Sequence, residues 1–423
     1  MFKRIDEITM TKNLKNKQLL NTIIPYDWEL MSFGKLFDFK NGINAEKENY
    51  GKGTKFINVM EVIYHDMITA DIIPGTILIS DELKNLYKVK RGDVLFNRTS
   101  ETSGEIGLAA VYQDDEEVVF GGFVIRGRPV TNLIDENFKR HCFRSKIVRN
   151  QIIKKGQGAI RLNIGQGDLK KILLPIPPIP EQHRIESCLS KWSAAITITQ
   201  RLIIQKEFRK KWLMQTLLTG KRRLKGFSGA WTFIRFNEIY SQIKEKAGSE
   251  KYLILSVTKD GIISQAEYFN KEIASEDTSQ YLVIKKGDMV MSGLNFWMGS
   301  IDVLTQYDKG MVSPAYKVFV IKSNRISPLF MKFFARSNLM LQALIGASVI
   351  GASIVRRNLD RETLDEWSFY IPCLEEQIAI AKVLQAADIE IQLLKTKVEK
   401  LKNQKNGLMQ VLLTGKKRIL LNH

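Results

Sequence analysis

Two long stretches of the chain place apolar residues at alternating spacings of four and three. The second stretch runs from Ile380 to Leu412, and polar Lys405 is the break in its series. The first stretch has the same register 195 positions earlier, from Ile185 to Leu217, with a weaker series. This spacing is typical of a coiled-coil seam. It predicts two helices of about 39 residues, each roughly 58 Å long at a rise of ~1.5 Å per residue.

The two predicted helices have similar ends. Each begins just after a group of prolines, and proline is tolerated in a first helical turn. Each ends at a Leu-Leu-Thr-Gly sequence, so that Gly220 and Gly415 follow the last helical residues. Glycine favours this position because it adopts a left-handed backbone conformation without strain.

The repeat extends beyond the helices. Residues 213–220 read LMQTLLTG and residues 408–415 read LMQVLLTG, an offset of 195. At the same offset, KRGD at 90–93 matches KKGD at 285–288. The matches around the joints are Ile176, Pro177, Glu181 and Gln182 with Ile371, Pro372, Glu376 and Gln377. Such self-similarity indicates one unit written twice: a globular segment, a proline-containing joint and a long helix.

Either helix alone would expose its apolar seam to water. Packing the two seams against each other buries both, and we expect an antiparallel coiled coil with pseudo-two-fold symmetry between the repeats. One alternative stays open, in which each helix only covers its own globular segment.

The globular segments are predicted to be mixed and rich in strands, which makes the fold class α+β. Short β-branched runs separated by glycine-containing turns lie at residues 76–79, 94–96, 118–120 and 318–321. Residues 138–155 and 329–338 have the periodicity of amphipathic helices.

Charge narrows the choice of partner. Lys and Arg number 64 against 45 Asp and Glu, which gives a net charge of +19 and favours a polyanion. The longest apolar stretch, residues 341–355, is too short and too polar to cross a bilayer, and the N-terminus lacks the apolar core of a signal peptide. We therefore expect a nucleic-acid partner in the cytoplasm and no membrane.

Motifs of common catalytic sites are not found. Gly220 and Gly415 are followed by two basic residues rather than by the Lys-Ser/Thr of a phosphate-binding loop. The Pro177-Pro178 pair stands between isoleucines, whereas an amino-methyltransferase needs Asn or Asp before it. The three cysteines form no CxxC pair, and the four histidines have no ligand spacing. We predict no catalytic centre, no metal and no bound cofactor.

The joint and helix together carry a family resemblance. PIPPIPEQ at 175–182, followed by LMQTLLTGKRR, resembles the helical region of type I restriction-modification specificity subunits. The second copy, IPCLEEQ at 371–377 through LMQVLLTGKKR, is similar to that family's second helical region. Its Cys-Leu-Glu at 373–375 departs from the Pro-Ile-Pro of the first joint.

The resemblance implies an order of domains and a role. Residues 1–175 would form a first target recognition domain with a short N-terminal extension, 176–226 a first helical spacer, 227–370 a second recognition domain and 371–423 a second spacer. The chain would be a non-catalytic subunit that recognises a bipartite asymmetric sequence in double-stranded DNA. Two adenine-N6 methyltransferase subunits and the restriction (translocase) subunits would join it, and these partners would bind S-adenosylmethionine, ATP and Mg²⁺.

Two other functions stay open. The chain could be an orphan specificity subunit of a modification-only complex. It could also be a coiled-coil scaffold that binds DNA without sequence preference.

The candidate DNA contacts lie in polar loops after strands or near the joints. They are Arg98, Asn97, Thr99, Arg161, Ser292, Asn295, Arg356 and Arg357. Arg98 is the main candidate for reading a guanine edge, with a phosphate contact or a plain surface role as alternatives.

Asn97, Ser292 and Asn295 are further candidates for base reading. Arg161, Arg356 and Arg357 are predicted to contact phosphates, unless they form salt bridges with the long helices. For the basic triplets at 221–223 and 416–418, either a DNA contact or a favourable interaction with the helix dipole is possible.

Overall fold

The structure is a computed structural model that describes residues 17–19, 22–158, 161–258, 261–269, 277–350 and 357–419. The chain divides into two compact units. Unit 1 comprises Met1–Ile198 and Val398–His423, and unit 2 comprises Thr199–Lys397. Each unit thus contains one half of each long helix. The predicted domain boundaries instead treat the helical segments 176–226 and 371–423 as separate spacers.

A five-stranded sheet forms the centre of unit 1. Its strands lie in the order Phe37–Asn41, Val124–Pro129, Val94–Asn97, Ala109–Tyr112 and Met67–Ile68. Neighbours pair antiparallel except for the last two, which are parallel. All four residues of the middle strand Val94–Asn97 are buried, so this strand directs the chain from the core into the loop that follows it.

Unit 2 repeats the first four positions of this sheet. Its strands lie in the order Tyr240–Ile243, Tyr316–Ile321, Met289–Ser292 and Ile301–Val303, all antiparallel. The third strand in this order, Met289–Ser292, is again central. The duplication inferred from short motifs is therefore a duplication of the sheet.

Each unit also pairs a strand near its beginning with the strand that leads into the joint. In unit 1 Glu29–Ser32 pairs with Leu173–Ile176, and in unit 2 Thr232–Arg235 pairs with Ser368–Ile371. Both pairs are antiparallel. They place Glu29–Ser32 and Thr232–Arg235 beside the proline-containing joints from which the long helices begin.

The shorter helices differ from the prediction, which expected one helix in each unit. In unit 1 Glu136–Cys142 and Lys146–Lys155 are separate helices, and in unit 2 Pro328–Ala335 and Asn338–Gly346 are separate. A serine precedes the second helix of each pair. In unit 2 the side chain of this serine, Ser337, accepts a hydrogen bond from the backbone of Met340, as a helix N-cap does.

The remaining elements complete the two units. In unit 1 they are Lys17–Leu19, Thr22–Ile24, Phe33–Leu36, Lys47–Asn49, Tyr50–Ile57, Val59–Tyr64, Ala70–Ile72, Thr76–Ile77, Asp81–Tyr87, Thr99–Ser100, Val119–Phe120, Leu162–Asn163 and Gln166–Lys170. In unit 2 they are Phe236–Ile239, Leu255–Thr258, Gly261–Ser264, Gln265–Phe269, Leu282–Lys285, Phe296–Met298, Lys309–Val312, Ser348–Ile350, Arg357–Leu359 and Arg361–Glu366. The strand expected at 76–79 is the shorter Thr76–Ile77, whereas the other three predicted strands are present with ends shifted by one or two residues.

Both long helices are present, each with 39 residues: Ile179–Leu217 and Leu374–Leu412. We call them the first and second long helix. Gly220 and Gly415 follow their ends with φ of 70° and 71°. The predicted length and the left-handed glycines are thus confirmed.

The helices pack antiparallel within each unit. In unit 1 Ile185 near the start of the first long helix shares a core with Leu412 at the end of the second. In unit 2 Leu217 at the end of the first shares a core with Ile380 near the start of the second. The predicted fold class, α+β with an antiparallel helix pair and an internal repeat, is confirmed.

Ion pairs also join the helices in unit 2. Lys206 contacts Glu390 and Lys210 contacts Asp388, each at 2.5 Å, and Lys395 contacts Glu207 at 2.7 Å.

Over the described residues, none of the helices is long and apolar enough to cross a membrane.

Candidate nucleic-acid interface

A short strand pair brings three of the predicted residues of unit 1 together. Thr99 begins strand Thr99–Ser100, which pairs antiparallel with Leu162–Asn163. The Thr99 hydroxyl donates a hydrogen bond of 2.7 Å to Asn163 Oδ1. Arg98 and Arg161 are the residues immediately before these two strands. We call residues 98–101 and 161–163 the unit 1 surface.

Arg98 presents a cation at this surface. Its Nη1 donates to the carbonyl of Gly122 at 3.3 Å, and the side chain is half-buried. Among the described residues no carboxylate forms an ion pair with Arg98. One nitrogen of the guanidinium is therefore held by a backbone carbonyl, and the group remains able to bind an acceptor from outside the protein.

Asn97 does not face solvent, contrary to its predicted role as a base reader. Its side chain is fully buried. Nδ2 donates to the carbonyl of Glu105 at 3.0 Å, and Oδ1 accepts from the backbone N–H of Thr99 at 3.2 Å. These bonds join the two ends of the loop that follows the central strand. The amide thus holds Arg98 and Thr99 in place and is not available to a base.

Arg161 is exposed and forms a surface ion pair. Its guanidinium contacts Glu101 at 2.9 Å, and both side chains are mostly solvent-accessible. An exposed pair contributes little to stability, so a phosphate could take the place of Glu101 at small cost. The pair lies within the unit 1 surface and not on a long helix.

In unit 2 the corresponding loop follows the central strand Met289–Ser292. The hydroxyl oxygen of Ser292 accepts hydrogen bonds from the backbone N–H groups of Leu294 and Asn295, at 3.3 and 3.1 Å. Ser292 therefore shapes the turn. Asn295 stands at the start of the short helix Phe296–Met298, is exposed and makes no capping bond there. Its amide is thus presented to solvent.

Arg357 lies beside this loop. Its guanidinium stacks over the ring of Trp297 at 4.0 Å and donates to the hydroxyl of Ser348 at 3.0 Å. Its Nε is buried and has no partner among the described residues. Phe296, at the start of the short helix, belongs to the core. Arg356 lies outside the described residues.

The unit 2 surface, residues 292–297 with 348 and 357, matches the unit 1 surface in position. Each surface combines the loop after the central strand with a strand that precedes the joint. Strand Leu162–Asn163 of unit 1 lies 195 positions before residues 357–358 of unit 2. The same place in the fold therefore carries Arg98, Thr99 and Arg161 in one unit and Ser292, Asn295 and Arg357 in the other.

The last arginine of each basic triplet has a structural role that the sequence did not reveal. Arg418 donates to both oxygens of Glu181 at 2.6 and 2.7 Å and also contacts Asp27 at 2.7 Å. Hydrogen bonds to Asp27 and Glu181 raise the pKa of Arg418, and the bond to Arg418 lowers the pKa of Asp27. The indole of Trp28 donates to Glu181 at 3.0 Å. The carboxylates of Asp27 and Glu181 occupy all three guanidinium nitrogens of Arg418, so this arginine stabilises the joint rather than being presented to DNA.

The glutamine that follows each buried glutamate completes the joint. Gln182 accepts from the backbone N–H of Asp135 at 2.8 Å and donates to the carbonyls of Leu133 and Pro177. Gln377 makes the matching bonds in unit 2, to Ser327, Arg325 and Pro372. The repeated Glu-Gln sequence was the available signal for this joint, although its partners could not be read from the sequence.

Comparison with known proteins agrees with this architecture. Residues 25–207 match the family described as "Type I restriction modification DNA specificity domain". One relative is a Methanocaldococcus jannaschii protein provisionally named the specificity subunit of type I restriction enzyme MjaX. It is 26% identical to this chain, and the match covers 94% of this chain and 95% of the relative. The MjaVIII specificity subunit of the same organism is 22% identical over 95% of this chain and 96% of its own length.

Two solved structures share the fold. A chain from a structural study of complex assembly and conformational transition in the type I restriction-modification system superposes with a TM-score of 0.60 at 14% identity, covering 93% of this chain and 99% of that one. The HsdS subunit from Thermoanaerobacter tengcongensis gives 0.52 at 16% identity, covering 94% and 100%.

Residues 25–207 match the DNA specificity domain of type I restriction-modification systems. Over nearly its full length the chain is similar to specificity subunits of these systems, as the resemblance of its joints and helices predicted.

Proposed function

We propose that the chain recognises a DNA target in two separate parts, with each unit reading one part. The observation that carries the proposal is the pair of surfaces at equivalent places in the repeat with different polar side chains. Equal folds would approach duplex DNA in equal ways, whereas different side chains would select different bases. The two halves of the target would therefore differ in sequence.

The chemistry of each surface suggests what it reads. The guanidinium of Arg98 suits the two acceptors at the major-groove edge of guanine, and the amide of Asn295 suits the donor-acceptor edge of adenine. Arg161, with only an exposed carboxylate as its partner, suits a backbone phosphate. Asn97 and Ser292 shape the loops that carry these residues.

The reaction would be carried out by partners. In this proposal the chain has no catalytic role, and two methyltransferase subunits bind S-adenosylmethionine and modify adenine N6. Restriction subunits bind ATP and Mg²⁺. Support comes from the curated relatives, which are named as specificity subunits rather than as enzymes.

Footprinting of the complex tests the two-part target. Mapping N6-methyladenine in cells that express the chain with its partner subunits gives the motif, and a duplex with that motif serves as the probe. Hydroxyl-radical cleavage should show two protected patches separated by an unprotected gap. One continuous patch, or equal protection of a scrambled duplex, would instead indicate a scaffold that binds DNA without sequence preference.

A further inference from the structure

A cavity of about 500 Å³ lies within unit 1, and its lining includes none of the residues assigned to DNA reading. Its walls come from the helix pair Glu136–Cys142 and Lys146–Lys155, from the turn after helix Val59–Tyr64, and from both long helices. The volume is in the range of small-molecule sites, about 300–1,000 Å³.

The walls of this cavity are strongly cationic. Arg140, Arg144, Arg149 and Lys405 line it, and Asp66 is the carboxylate among its lining residues. Asp66 accepts a hydrogen bond of 2.9 Å from Arg140. Within the described part of the chain, the other three cations form no ion pair with a carboxylate. Like charges brought together in a partly dehydrated space raise the free energy of the empty cavity.

Three nitrogens in the walls are buried without a hydrogen-bond partner among the described residues: His141 Nε2, Arg140 Nε and Arg149 Nη1. His141 is 1% exposed and Arg149 is 9% exposed. Leaving a buried donor without an acceptor costs about 1–3 kcal/mol, so such groups are rare and need an explanation. A ligand that brings several acceptor oxygens would satisfy all three.

The repeat offers an internal comparison. Lys405, which interrupts the heptad series, lies 195 positions after Lys210. In unit 2 Lys210 pairs with Asp388 at 2.5 Å. The residue 195 positions before Asp388 is Ser193, which lines the unit 1 cavity beside Lys405. At equivalent positions, unit 2 therefore has the carboxylate of Asp388 and unit 1 has the hydroxyl of Ser193.

The pKa values of groups in the walls agree with a site for an anion. Burial, followed by the charges of Lys405 and Arg140, lowers the pKa of His141 to about 3. Burial, with Arg144 nearby, lowers the pKa of Arg149 to about 10. Both shifts show that positive charge is disfavoured in the cavity as it stands, and an anion would reverse that preference.

We propose that the unit 1 cavity binds a small phosphate-bearing anion, either orthophosphate or the phosphate of a nucleotide. Lys405, Arg140 and Arg149 bind the phosphate oxygens, and His141 donates from Nε2. The volume exceeds what orthophosphate alone fills, so a nucleoside attached to the phosphate has room beside it. This site is additional to the DNA-reading surfaces.

Calorimetric titration of the full chain tests the proposal, with orthophosphate, AMP and adenosine as probes. Orthophosphate and AMP should bind and compete with each other, and adenosine should not bind. Tighter binding of AMP identifies a nucleotide as the ligand, whereas equal affinities identify free phosphate. Binding of neither anion at millimolar concentration overturns the proposal, as does AMP binding that orthophosphate does not displace.

Two substitutions separate this site from general electrostatics. Lys405→Gln removes a cation, and Ser193→Asp places in unit 1 the carboxylate that unit 2 already has. Each should weaken phosphate binding by about tenfold or more, equivalent to ~1.4 kcal/mol, while Ser193→Asp keeps or raises the melting temperature. The matched control Lys210→Gln should leave binding unchanged. If the substitutions in unit 1 weaken only duplex DNA binding and leave phosphate binding intact, the cavity is a DNA contact and the proposal is wrong.

Discussion

Arg223 donates from Nε and Nη2 to the two carboxylate oxygens of Glu376, both at 2.6 Å. Arg418 makes the same two-pronged contact with Glu181 in the other unit. In each case the arginine follows the end of one long helix and the glutamate begins the other. In each unit the contact therefore joins the end of one long helix to the start of the other. The arginine follows the LLTG sequence of one helix, and the glutamate belongs to the Glu-Gln sequence of the other.

Removing the glutamate should destabilise the chain. Glu376 is fully buried and accepts hydrogen bonds from Trp231 as well as from Arg223, and Glu376→Ala removes the acceptor of both. Loss of one partner of a buried pair costs about 3–5 kcal/mol, and we expect the lower end because Arg223 is partly exposed.

Urea unfolding of the variant gives this cost directly. Arg91→Ala serves as the control, because it breaks the exposed pair with Asp115 and should have a much smaller effect on the free energy of unfolding. Equal effects of the two substitutions would show that the Arg223–Glu376 contact is no more than a surface pair.

Much of the architecture could be predicted because it depends on local patterns. The heptad series fixed the two helices to within a turn, and the glycines after LLTG have the expected left-handed backbone. The helix predicted at 138–155 is divided into two helices, and the one predicted at 329–338 ends at Ala335, because a serine in each run starts a new helix. The apolar periodicity continues across that break and hides it.

The sites were harder to predict because burial depends on distant strands. Asn97 looks like any polar loop residue in the sequence, yet strand Val94–Asn97 lies in the middle of a sheet whose neighbours come from residues 109–112 and 124–129. For Arg418 the sequence left a DNA contact and an interaction with the helix dipole open, because its partner Glu181 is 237 positions away. The cavity around His141 is lined by five segments of the chain, and none of them suggests a site alone.

Acid should destabilise unit 1 through His141. The group is neutral in the folded chain, with a pKa of about 3, and its ordinary pKa when unfolded is about 6.5. The unfolded state therefore binds an extra proton below about pH 6.5, and stability falls as pH decreases from there, by up to ~1.4 kcal/mol per pH unit. The charges that act on His141 are those of Lys405, Arg140 and Asp66. The other charged or titratable residues that line the same cavity are Tyr64, His65, Arg144 and Arg149.

Substitution with the residue of the other unit isolates this contribution. Arg144-Ser145 aligns with Arg336-Ser337 at an offset of 192, so Phe333 of unit 2 is the residue that corresponds to His141 in the sequence alignment of the repeats. In phosphate-free buffer the chain should lose about 2 kcal/mol more than His141→Phe between pH 7.5 and pH 5.0. Urea unfolding at the two pH values measures the difference. Parallel losses in both proteins would assign the pH dependence to other groups.

DNA binding should depend strongly on salt. With a net charge of +19 and about 6–10 phosphate contacts, the affinity for duplex DNA should fall ~10³–10⁵-fold between about 50 and 200 mM salt. Arg161→Ala should reduce the slope by about one counterion, because we assign this residue to a phosphate. Fluorescence anisotropy over a salt series measures both, and an unchanged slope would leave Arg161 to its pair with Glu101.

Substitutions in the unit 1 surface and the unit 2 surface should each change the base preference of a different half of the target. Arg98→Ala removes the guanidinium that we assign to a guanine, and Asn295→Ala removes the amide that we assign to an adenine. Each loss should cost about 1–3 kcal/mol on the full target and should relax one base position in one half only. Arg91→Ala in unit 1 and Asn324→Ala in unit 2 are matched controls, since both residues are exposed and lie outside the two surfaces. Binding to a library randomised in one half at a time gives the base preference of each variant. Relaxation of both halves by one substitution would contradict a separate reading by each unit, and equal loss on every sequence would reassign the residue to the DNA backbone.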